Sequence, residues 1–171
     1  MPLRLAQTAD LPPLLDIYDR ARQLMHEAGN FQWDLTYPGR DRLENDIKKG
    51  QLYALTNAGK LVGAGALVPG PDPTYEVIRE GAWLNDAPYW ALHRLVIDPA
   101  CQSKGYGKQM FQAIESLALD KGIYNCRIDT HAANATMQHL IRKQDYNYCG
   151  MITAIDGDDR LAYQKILLRE K

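Results

Sequence analysis

Residues 101–108, reading Cys-Gln-Ser-Lys-Gly-Tyr-Gly-Lys, combine residue types that bind phosphate groups. Gly105 and Gly107 allow the backbone to approach a ligand closely and to adopt positive φ angles, and Lys104 and Lys108 add positive charge. The segment leads into a periodic helix, whose first N–H groups lack intrahelical acceptors and lie at the positive end of the macrodipole. The pattern therefore predicts an anion site that fits a pyrophosphate, and an ordinary strand-to-helix turn is the alternative.

The spacing matches neither of the two common nucleotide-binding loops. The phosphate loop Gly-x4-Gly-Lys-Ser/Thr requires a hydroxyl residue after Lys108, where Gln109 stands instead. The dinucleotide motif Gly-x-Gly-x-x-Gly requires a third glycine, and Met110 occupies that place. A nucleotide-phosphate binder that uses this loop remains an alternative, although it lacks the hydroxyl that would hold Mg²⁺.

A predicted strand and a predicted helix hold the segment at its two ends. The strand covers residues 91–97, and Asp98-Pro99 ends it because proline cannot donate to a strand ladder. The helix ends at Lys121-Gly122 and has apolar residues at helical spacing, namely Met110, Phe111, Ile114, Leu117 and Ala118. The order strand, loop, helix places the glycines where the helix begins.

The rest of the chain alternates predicted helices and strands, which indicates an α/β fold around a mixed sheet. Before the central strand, the patterns predict helices at residues 10–27 and 40–49 and strands at 3–5, 51–56, 60–68 and 75–78. A hairpin turn is predicted at Asn57-Ala58-Gly59 and a loop at 81–88. After the central helix they predict strands at 124–129, 146–153 and 161–168, and a helix opened by Asn134.

Composition excludes several classes of protein. With 171 residues, the chain suits a single domain that covers residues 1–171. Twenty basic and 21 acidic residues give a net charge of −1, so nothing favours binding to nucleic acid or to an anionic membrane. No apolar run reaches the about 20 residues of a membrane span. Three cysteines without close pairing agree with a reducing compartment, so we expect a cytoplasmic protein with Cys126 and Cys149 as buried thiols.

The loop resembles the Gln/Arg-x-x-Gly-x-Gly/Ala motif of the GNAT superfamily of acyl-CoA-dependent N-acyltransferases. Gln102, Gly105 and Gly107 stand at its defining positions, and the preceding Leu-Val-Ile-Asp-Pro and the helix opened by Asn134 follow the family's order. The resemblance covers most of the chain and is most specific over residues 92–149. It implies a GNAT-like α/β fold, in which about four helices flank a central mixed, largely antiparallel, twisted sheet.

By this resemblance the chain is an acetyltransferase that uses acetyl-CoA as co-substrate and needs no metal. Backbone groups of Leu95, Val96 and Ile97 would pair with pantetheine, where this strand and the strand beginning near Tyr124 splay apart. One of their N–H groups would polarise the thioester carbonyl. Asn134, which is equally suited to be a helix N-cap, would contact the cofactor as well. The other implied cofactor-binding residues form the loop: Gln102, Ser103, Lys104, Gly105, Tyr106, Gly107 and Lys108.

His93 is the leading candidate for the general base of such a reaction. It is the only histidine on the central strand, and an unperturbed pKa of about 6.5 suits proton transfer near neutrality. Residues 92–96 also resemble the strand on which arylalkylamine acetyltransferases place histidines that accept the amine proton through water. A hydrogen-bonded structural histidine is the alternative. Glu76 is the rival base, since other family members use a carboxylate on a neighbouring strand, and solvated surface is its alternative.

Aromatic residues on two loops are candidates for the acceptor site. By resemblance, the segment between the first two helices forms one wall of the acceptor cleft, so Trp33 and Tyr37 would line it, and Trp83 is expected from the second loop. Aromatic residues that cover the edge of the core are the alternative. Such walls favour a primary amine with an apolar or aromatic body, on a small molecule or a peptide. The resemblance leaves a homodimer open.

One position departs from the family pattern. Many members carry a tyrosine seven residues after the asparagine to protonate the departing thiolate, and Ile141 stands there. Because an ordinary thiol has a pKa near 8.5, water is a sufficient proton source. The missing acid nevertheless keeps a second function open, that of a non-catalytic acyl-CoA-binding or regulatory module.

Overall fold

The computed structural model describes residues 2–168, which contain seven strands and four α-helices. The strands are β1 (Leu3–Leu5), β2 (Leu52–Asn57), β3 (Lys60–Pro69), β4 (Trp90–Ile97), β5 (Asn125–Thr130), β6 (Asn147–Thr153) and β7 (Asp159–Ile166). The helices are α1 (Leu11–Glu27), α2 (Arg40–Lys48), α3 (Tyr106–Asp120) and α4 (Ala135–Lys143). In the part of the chain that the structure covers, no helix is long and apolar enough to cross a membrane.

The strands form a mixed sheet in the order β1-β2-β3-β4-β5-β7-β6. Antiparallel pairs join β1 to β2, β2 to β3, β5 to β7 and β6 to β7. Strands β4 and β5 are parallel, with Trp90 opposite Cys126 and Leu92 opposite Ile128. The predicted α/β fold with a mixed, largely antiparallel sheet and about four helices is thus confirmed.

The chain divides into two compact units, each with its own buried residues. Within the described residues the first unit comprises 2–67 and 94–113, and the second comprises 68–93 and 114–168. In the first unit, α1 buries Leu14 and Ile17 and α2 buries Leu43, as expected of amphipathic helices. A core cluster of the second unit contains Tyr75, Tyr89, Ala91, Ile152 and Ala162. That the chain forms a single domain stays a prediction.

Two local predictions are confirmed. In the turn between β2 and β3, Ala58 and Gly59 have φ angles of 49° and 76°, as the favoured two-residue hairpin turn requires. Cys126 and Cys149 are free, buried thiols.

The predicted strand at residues 75–78 is wrong. Pro73–Tyr75 form a 3₁₀-helix instead, because the side chain of Asp72 accepts a hydrogen bond from the backbone N–H of Thr74 at 2.9 Å and caps a turn. Val77, expected to be part of a half-buried strand, is 71% exposed. A local side-chain cap therefore outweighs the β-propensity of the residues that follow it.

Within the first unit, helix α2 is tied to β4 by a buried ion pair. The carboxylate of Asp46 accepts two hydrogen bonds from the guanidinium of Arg94, at 2.8 and 2.9 Å. A third guanidinium nitrogen donates to the hydroxyl of Tyr37 at 3.0 Å. The side chain of Asp46 is only 2% exposed, so loss of either charge would leave the other buried without compensation.

We expect Asp46→Ala to lower the free energy of unfolding by about 3–5 kcal/mol, since it leaves the charge of Arg94 buried and unpaired. Glu44→Ala on the same helix is the matched control, because its pair with Arg40 lies at the surface and contributes only about 0–1 kcal/mol. Urea denaturation followed by circular dichroism measures both. Equal, small losses would show that the buried pair contributes no more than the exposed one.

Candidate active site

Strand β4 is irregular at Arg94, whose φ of 54° lies in the left-handed region that non-glycine residues rarely adopt. The hydroxyl of Tyr18 donates to the Arg94 carbonyl at 2.6 Å and holds the backbone in this conformation. A Cβ at Gly63 on β3 would lie 2.6 Å from the backbone carbonyl oxygen of Val96, so glycine is needed for the close approach of the two strands. Irregularities of this kind redirect the side chains of a strand.

The loop after β4 turns into α3 through two left-handed residues. Asp98 accepts a hydrogen bond from the N–H of Ala100 at 3.0 Å and caps a short 3₁₀-turn. Ser103 and Gly105 then adopt φ angles of 63° and 74°, and α3 begins at Tyr106. The sequence-based prediction of strand, glycine loop and helix is therefore confirmed.

The start of α3 has the features of an anion site. The N–H of Gln109 bonds to the carbonyl of Gly105 at 3.2 Å, so the helical hydrogen-bond ladder begins there and the three N–H groups before it precede the ladder. Lys104 and Lys108 are exposed beside these groups. A Cβ at Gly105 would meet no atom within 4 Å, so the space next to the backbone is open. Backbone donors, positive charge and open space together suit a phosphate group.

In the second unit, His93 has a carboxylate near each of its ring nitrogens. Its Nε2 lies 2.6 Å from Oδ2 of Asp72, which is a short hydrogen bond. Its Nδ1 lies 4.0 Å from Oδ1 of Asp129, too far for a hydrogen bond. The side chain of His93 is 21% exposed, so the ring is accessible to solvent.

Asp72 is fixed by several hydrogen bonds. Its Oδ1 accepts from the N–H and the hydroxyl of Thr74 at 2.9 and 2.7 Å, and its own N–H donates to the hydroxyl of Tyr89 at 2.8 Å. Burial pushes the pKa of Asp72 up, but the hydrogen bonds from His93 and Thr74 outweigh burial and lower the pKa to about 2. The carboxylate is thus ionised at neutral pH and acts only as an acceptor.

Asp129 is held by a buried tyrosine. The hydroxyl of Tyr75 donates to Oδ1 of Asp129 at 2.6 Å, and the ring centroids of Tyr75 and His93 are 5.7 Å apart. Burial and the neighbouring Asp129 carboxylate raise the pKa of Tyr75 well above its usual 10.0. The tyrosine therefore remains a protonated donor, and the carboxylate stays beside the ring of His93.

Of the aromatic residues expected at the acceptor site, the two in the first unit are engaged within that unit. Trp33 is buried, and its ring centroid lies 5.7 Å from that of Tyr18. The hydroxyl of Tyr37 accepts a hydrogen bond from Arg94. Both contacts agree with the alternative that these residues cover the core.

Trp83 is likewise engaged within the second unit. Its indole N–H donates to the carbonyl of Tyr75 at 2.8 Å, and the guanidinium of Arg127 lies 4.3 Å from its ring centroid. This geometry is a cation–π contact. An acceptor-binding role for these aromatic residues stays a prediction.

Three further residues named from the sequence have clear positions. Glu76 follows the 3₁₀-helix with an exposed side chain, so the expected placement on a neighbouring strand is wrong. The side-chain oxygen of Asn134 accepts from the N–H of Met137 at 3.1 Å, which confirms the N-cap of α4. Ile141 is fully buried, as a core position of that helix.

The carboxylates that surround His93 were not among the residues singled out from the sequence. Asp72 has a local signal, because Asp-Pro-Thr is typical of a capped turn, but that signal does not identify its partner 21 residues later. Asp129 lies near the end of a predicted strand, where nothing in the pattern marks it as a neighbour of His93. Contacts between distant parts of the chain decide these positions.

The sequence profile of the acetyltransferase (GNAT) family matches residues 14–146. A crystal structure of a GNAT-family acetyltransferase from Streptococcus agalactiae 2603 is similar, with 32% sequence identity and a TM-score of 0.88 over 99% of this chain and 96% of that chain. Comparison with curated proteins finds no match.

Two other solved structures are similar at lower identity. The ribosomal-protein-alanine N-acetyltransferase from Brucella melitensis is 24% identical, with a TM-score of 0.68 over 98% of this chain and 100% of that chain. The PaiA N-acetyltransferase from Thermoplasma acidophilum, in complex with coenzyme A, is 16% identical, with a TM-score of 0.68 over 96% of this chain and 98% of that chain. These two likenesses show the fold.

The pair between Asp72 and His93 predicts a specific loss of stability in acid. Because folding lowers the pKa of Asp72 from 3.8 to about 2, its contribution is present above about pH 4 and is lost as the pH falls through 2. We expect the free energy of unfolding to fall by about 2 kcal/mol more in the wild type than in Asp72→Asn over that interval. Urea denaturation at several pH values measures the difference.

Asp86→Asn is the control, since it removes the same charge at an exposed position of the same connection. Its pH dependence should follow that of the wild type. Parallel curves for all three proteins would contradict the assigned pKa of Asp72.

Proposed function

The chain belongs to the acetyltransferase (GNAT) family, and from this membership we propose that it moves an acetyl group from acetyl-CoA to a primary amine of a small molecule or a peptide. Acetyl transfer and the use of acetyl-CoA follow from the family itself. The acceptor and the roles of individual residues are the proposal. The surroundings of His93, a candidate base with an ionised carboxylate on one ring nitrogen, support it most directly.

The loop at residues 102–108 is proposed to bind the pyrophosphate of coenzyme A. Its exposed lysines, its N–H groups at the start of α3 and the open space beside Gly105 fit such a group. Backbone groups of Leu95, Val96 and Ile97 are proposed to bind the pantetheine arm and to polarise the carbonyl of the thioester. Asn134 is proposed as a further contact of the cofactor, in addition to its role as an N-cap.

Acyl transfer to an amine requires a neutral nucleophile. Acetyl-CoA supplies the activated thioester, and His93 is proposed to take the proton of the acceptor amine, directly or through one water. Asp72 and Asp129 place negative charge beside this histidine, which favours a cationic ammonium group near it. Ile141 offers no proton for the thiolate, so water is proposed as that donor.

The general class of the acceptor is proposed from chemistry alone. A protein named for its action on ribosomal-protein alanine is among the similar structures, and that name describes that protein. The apolar acceptor walls expected from the sequence would favour an amine with an apolar or aromatic body, and polyamines should then be poor acceptors. A panel of aryl-alkyl amines, peptide N-termini and polyamines, assayed for release of free coenzyme A, tests this proposal.

A non-catalytic acyl-CoA-binding module is the second candidate, because the usual tyrosine acid is replaced by Ile141. Steady release of coenzyme A with any amine of the panel would exclude it. Tight binding of acetyl-CoA without turnover on every amine would favour it.

Gly105→Glu should abolish binding of acetyl-CoA, since it adds a negative charge and a bulky side chain at the open face of the loop. Gly105→Ala is the control for backbone strain, because its Cβ meets no atom within 4 Å and costs only about 1 kcal/mol at a φ of 74°. Lys104→Ala removes one exposed charge and should weaken binding by about fivefold or less. Calorimetry with acetyl-CoA measures all three. Unchanged affinity in Gly105→Glu would show that the loop does not hold the pyrophosphate.

His93→Ala should lower kcat/KM by about 10² to 10⁴-fold and flatten the ascending limb of its pH profile, because removal of the amine proton becomes unassisted. His93→Gln is the second variant, since its amide can still donate to Asp72 and preserve the fold. Melting temperature and acetyl-CoA affinity serve as controls for structural damage.

Glu76→Gln separates the two candidate bases. If it loses the ascending limb while the His93 variants retain it, Glu76 is the base. If all variants keep near-wild-type rates, bulk water accepts the proton.

A further inference from the structure

The two ring nitrogens of His93 lie in unlike surroundings. Nε2 forms a 2.6 Å hydrogen bond with Asp72, whereas Nδ1 lies 4.0 Å from the nearest oxygen of Asp129. A neutral imidazole carries one proton, so one nitrogen donates and the other accepts. The structure therefore constrains which of the two can receive a proton from a substrate.

We propose that Asp72 is a positioning residue that holds His93 in the tautomer with its proton on Nε2, so that Nδ1 is the atom that takes the proton of the acceptor amine. This inference rests on the proposed role of His93 as general base. A carboxylate cannot donate, so the nitrogen that faces Asp72 at 2.6 Å must carry the hydrogen. The lone pair is then on Nδ1.

The surroundings of Asp72 make this constraint rigid. Thr74 gives two hydrogen bonds to Oδ1, which leaves Oδ2 directed at His93, and the N–H of Asp72 donates to Tyr89. Gly70 allows this arrangement, since a Cβ there would lie 2.5 Å from the ring of Tyr89. The connection between β3 and β4 is thus packed so that the carboxylate does not rotate away.

Asp129 acts on the opposite side of the ring through its charge. At 4.0 Å its Oδ1 is too distant to occupy Nδ1 with a hydrogen bond, and it is held by the hydroxyl of Tyr75. Among the described residues, Asp72, the ring of Tyr75 and Asp129 face His93. Two carboxylates stabilise the ring once it is positively charged.

The proton transfer balances without another reactant. An N–H bond of the ammonium breaks, its electron pair stays on the amine nitrogen, and the proton forms a bond to Nδ1 of His93. The ring then carries protons on both nitrogens, while Asp72 remains ionised. Water removes the proton from Nδ1 after the transfer.

Nitrogen NMR of the enzyme labelled with ¹⁵N-histidine tests the tautomer in the absence of substrates. The chain has four histidines, and His93→Gln assigns the signal of His93 by its loss. In the neutral ring we expect a protonated Nε2 and a bare Nδ1, and spectra recorded over a range of pH identify that state. A protonated Nδ1 with a bare Nε2 in the wild type would overturn the proposal, whatever the activity of any variant.

Kinetics test the consequence. Asp72→Asn offers both an acceptor and a donor to Nε2, so the tautomer preference should weaken and kcat/KM should fall by about 10²-fold or more, with acetyl-CoA affinity unchanged. Asp72→Glu keeps a carboxylate and should recover part of the rate and the wild-type tautomer. Asp86→Asn, exposed in the same connection, should stay within about twofold of the wild type.

The outcomes separate this proposal from the proposed function. Wild-type rates in Asp72→Asn, together with full rate loss in His93→Gln, would overturn the positioning role and leave His93 as the base. Wild-type rates in His93→Gln would overturn the role of His93 as general base, and with it the catalytic part of this inference, even if the wild type shows the expected NMR signature. Loss of rate in Asp72→Asn with recovery in Asp72→Glu supports the proposal beyond a structural role.

Discussion

The backbone of β4 departs from the strand conformation at Arg94, and buried contacts of the first unit hold it there. A non-glycine residue at a φ of 54° costs about 1–3 kcal/mol, and it persists only where its surroundings hold it in that conformation. The two hydrogen bonds to the buried carboxylate of Asp46 and the bond from Tyr18 to the Arg94 carbonyl supply that support. The same irregularity precedes Leu95–Ile97, the backbone proposed to meet the thioester. The strained backbone conformation of Arg94 and the buried ion pair between Arg94 and Asp46 therefore depend on each other.

Two neighbouring basic residues of β4 each pair with an aspartate, and their chemistry divides the roles. Arg94 is protonated at every relevant pH, so its guanidinium does not take up or release a proton, and its buried pair with Asp46 contributes to stability. An imidazole can accept or donate a proton, and the side chain of His93 is more exposed than that of Arg94, 21% against 8%. The pair of Arg94 and Asp46 stabilises the strand, and the pair of His93 and Asp72 is suited to proton transfer.

Local patterns in the sequence were sufficient to predict the strand and the helix on either side of the glycine loop. The strand that ends at Asp98-Pro99, the glycines before α3 and the N-cap at Asn134 each follow from the conformational preference of a few adjacent residues. The strand expected at 75–78 failed because a cap from Asp72 competes with β-propensity over so short a segment.

The surroundings of His93 depend on contacts that no local pattern records. Asp72 and Asp129 approach it from positions 21 and 36 residues away in the chain. The reference pKa of histidine was sufficient to nominate His93 as a base. Which ring nitrogen is available depends on those two carboxylates, and thus on tertiary structure.

The absence of a tyrosine at position 141 should lower the rate of acetyl transfer less than the absence of a general base would. A thiolate whose conjugate acid has a pKa near 8.5 leaves readily and takes its proton from water. A primary amine with a pKa of about 10.4 is neutral in only roughly one molecule in 10³ at pH 7. General-base assistance of about 10² to 10⁴-fold is of the size needed to offset that deficit. The reaction therefore gains most from a side chain at the amine, where a carboxylate-oriented histidine is proposed, and least from an acid at the thiolate, where the chain has a buried isoleucine.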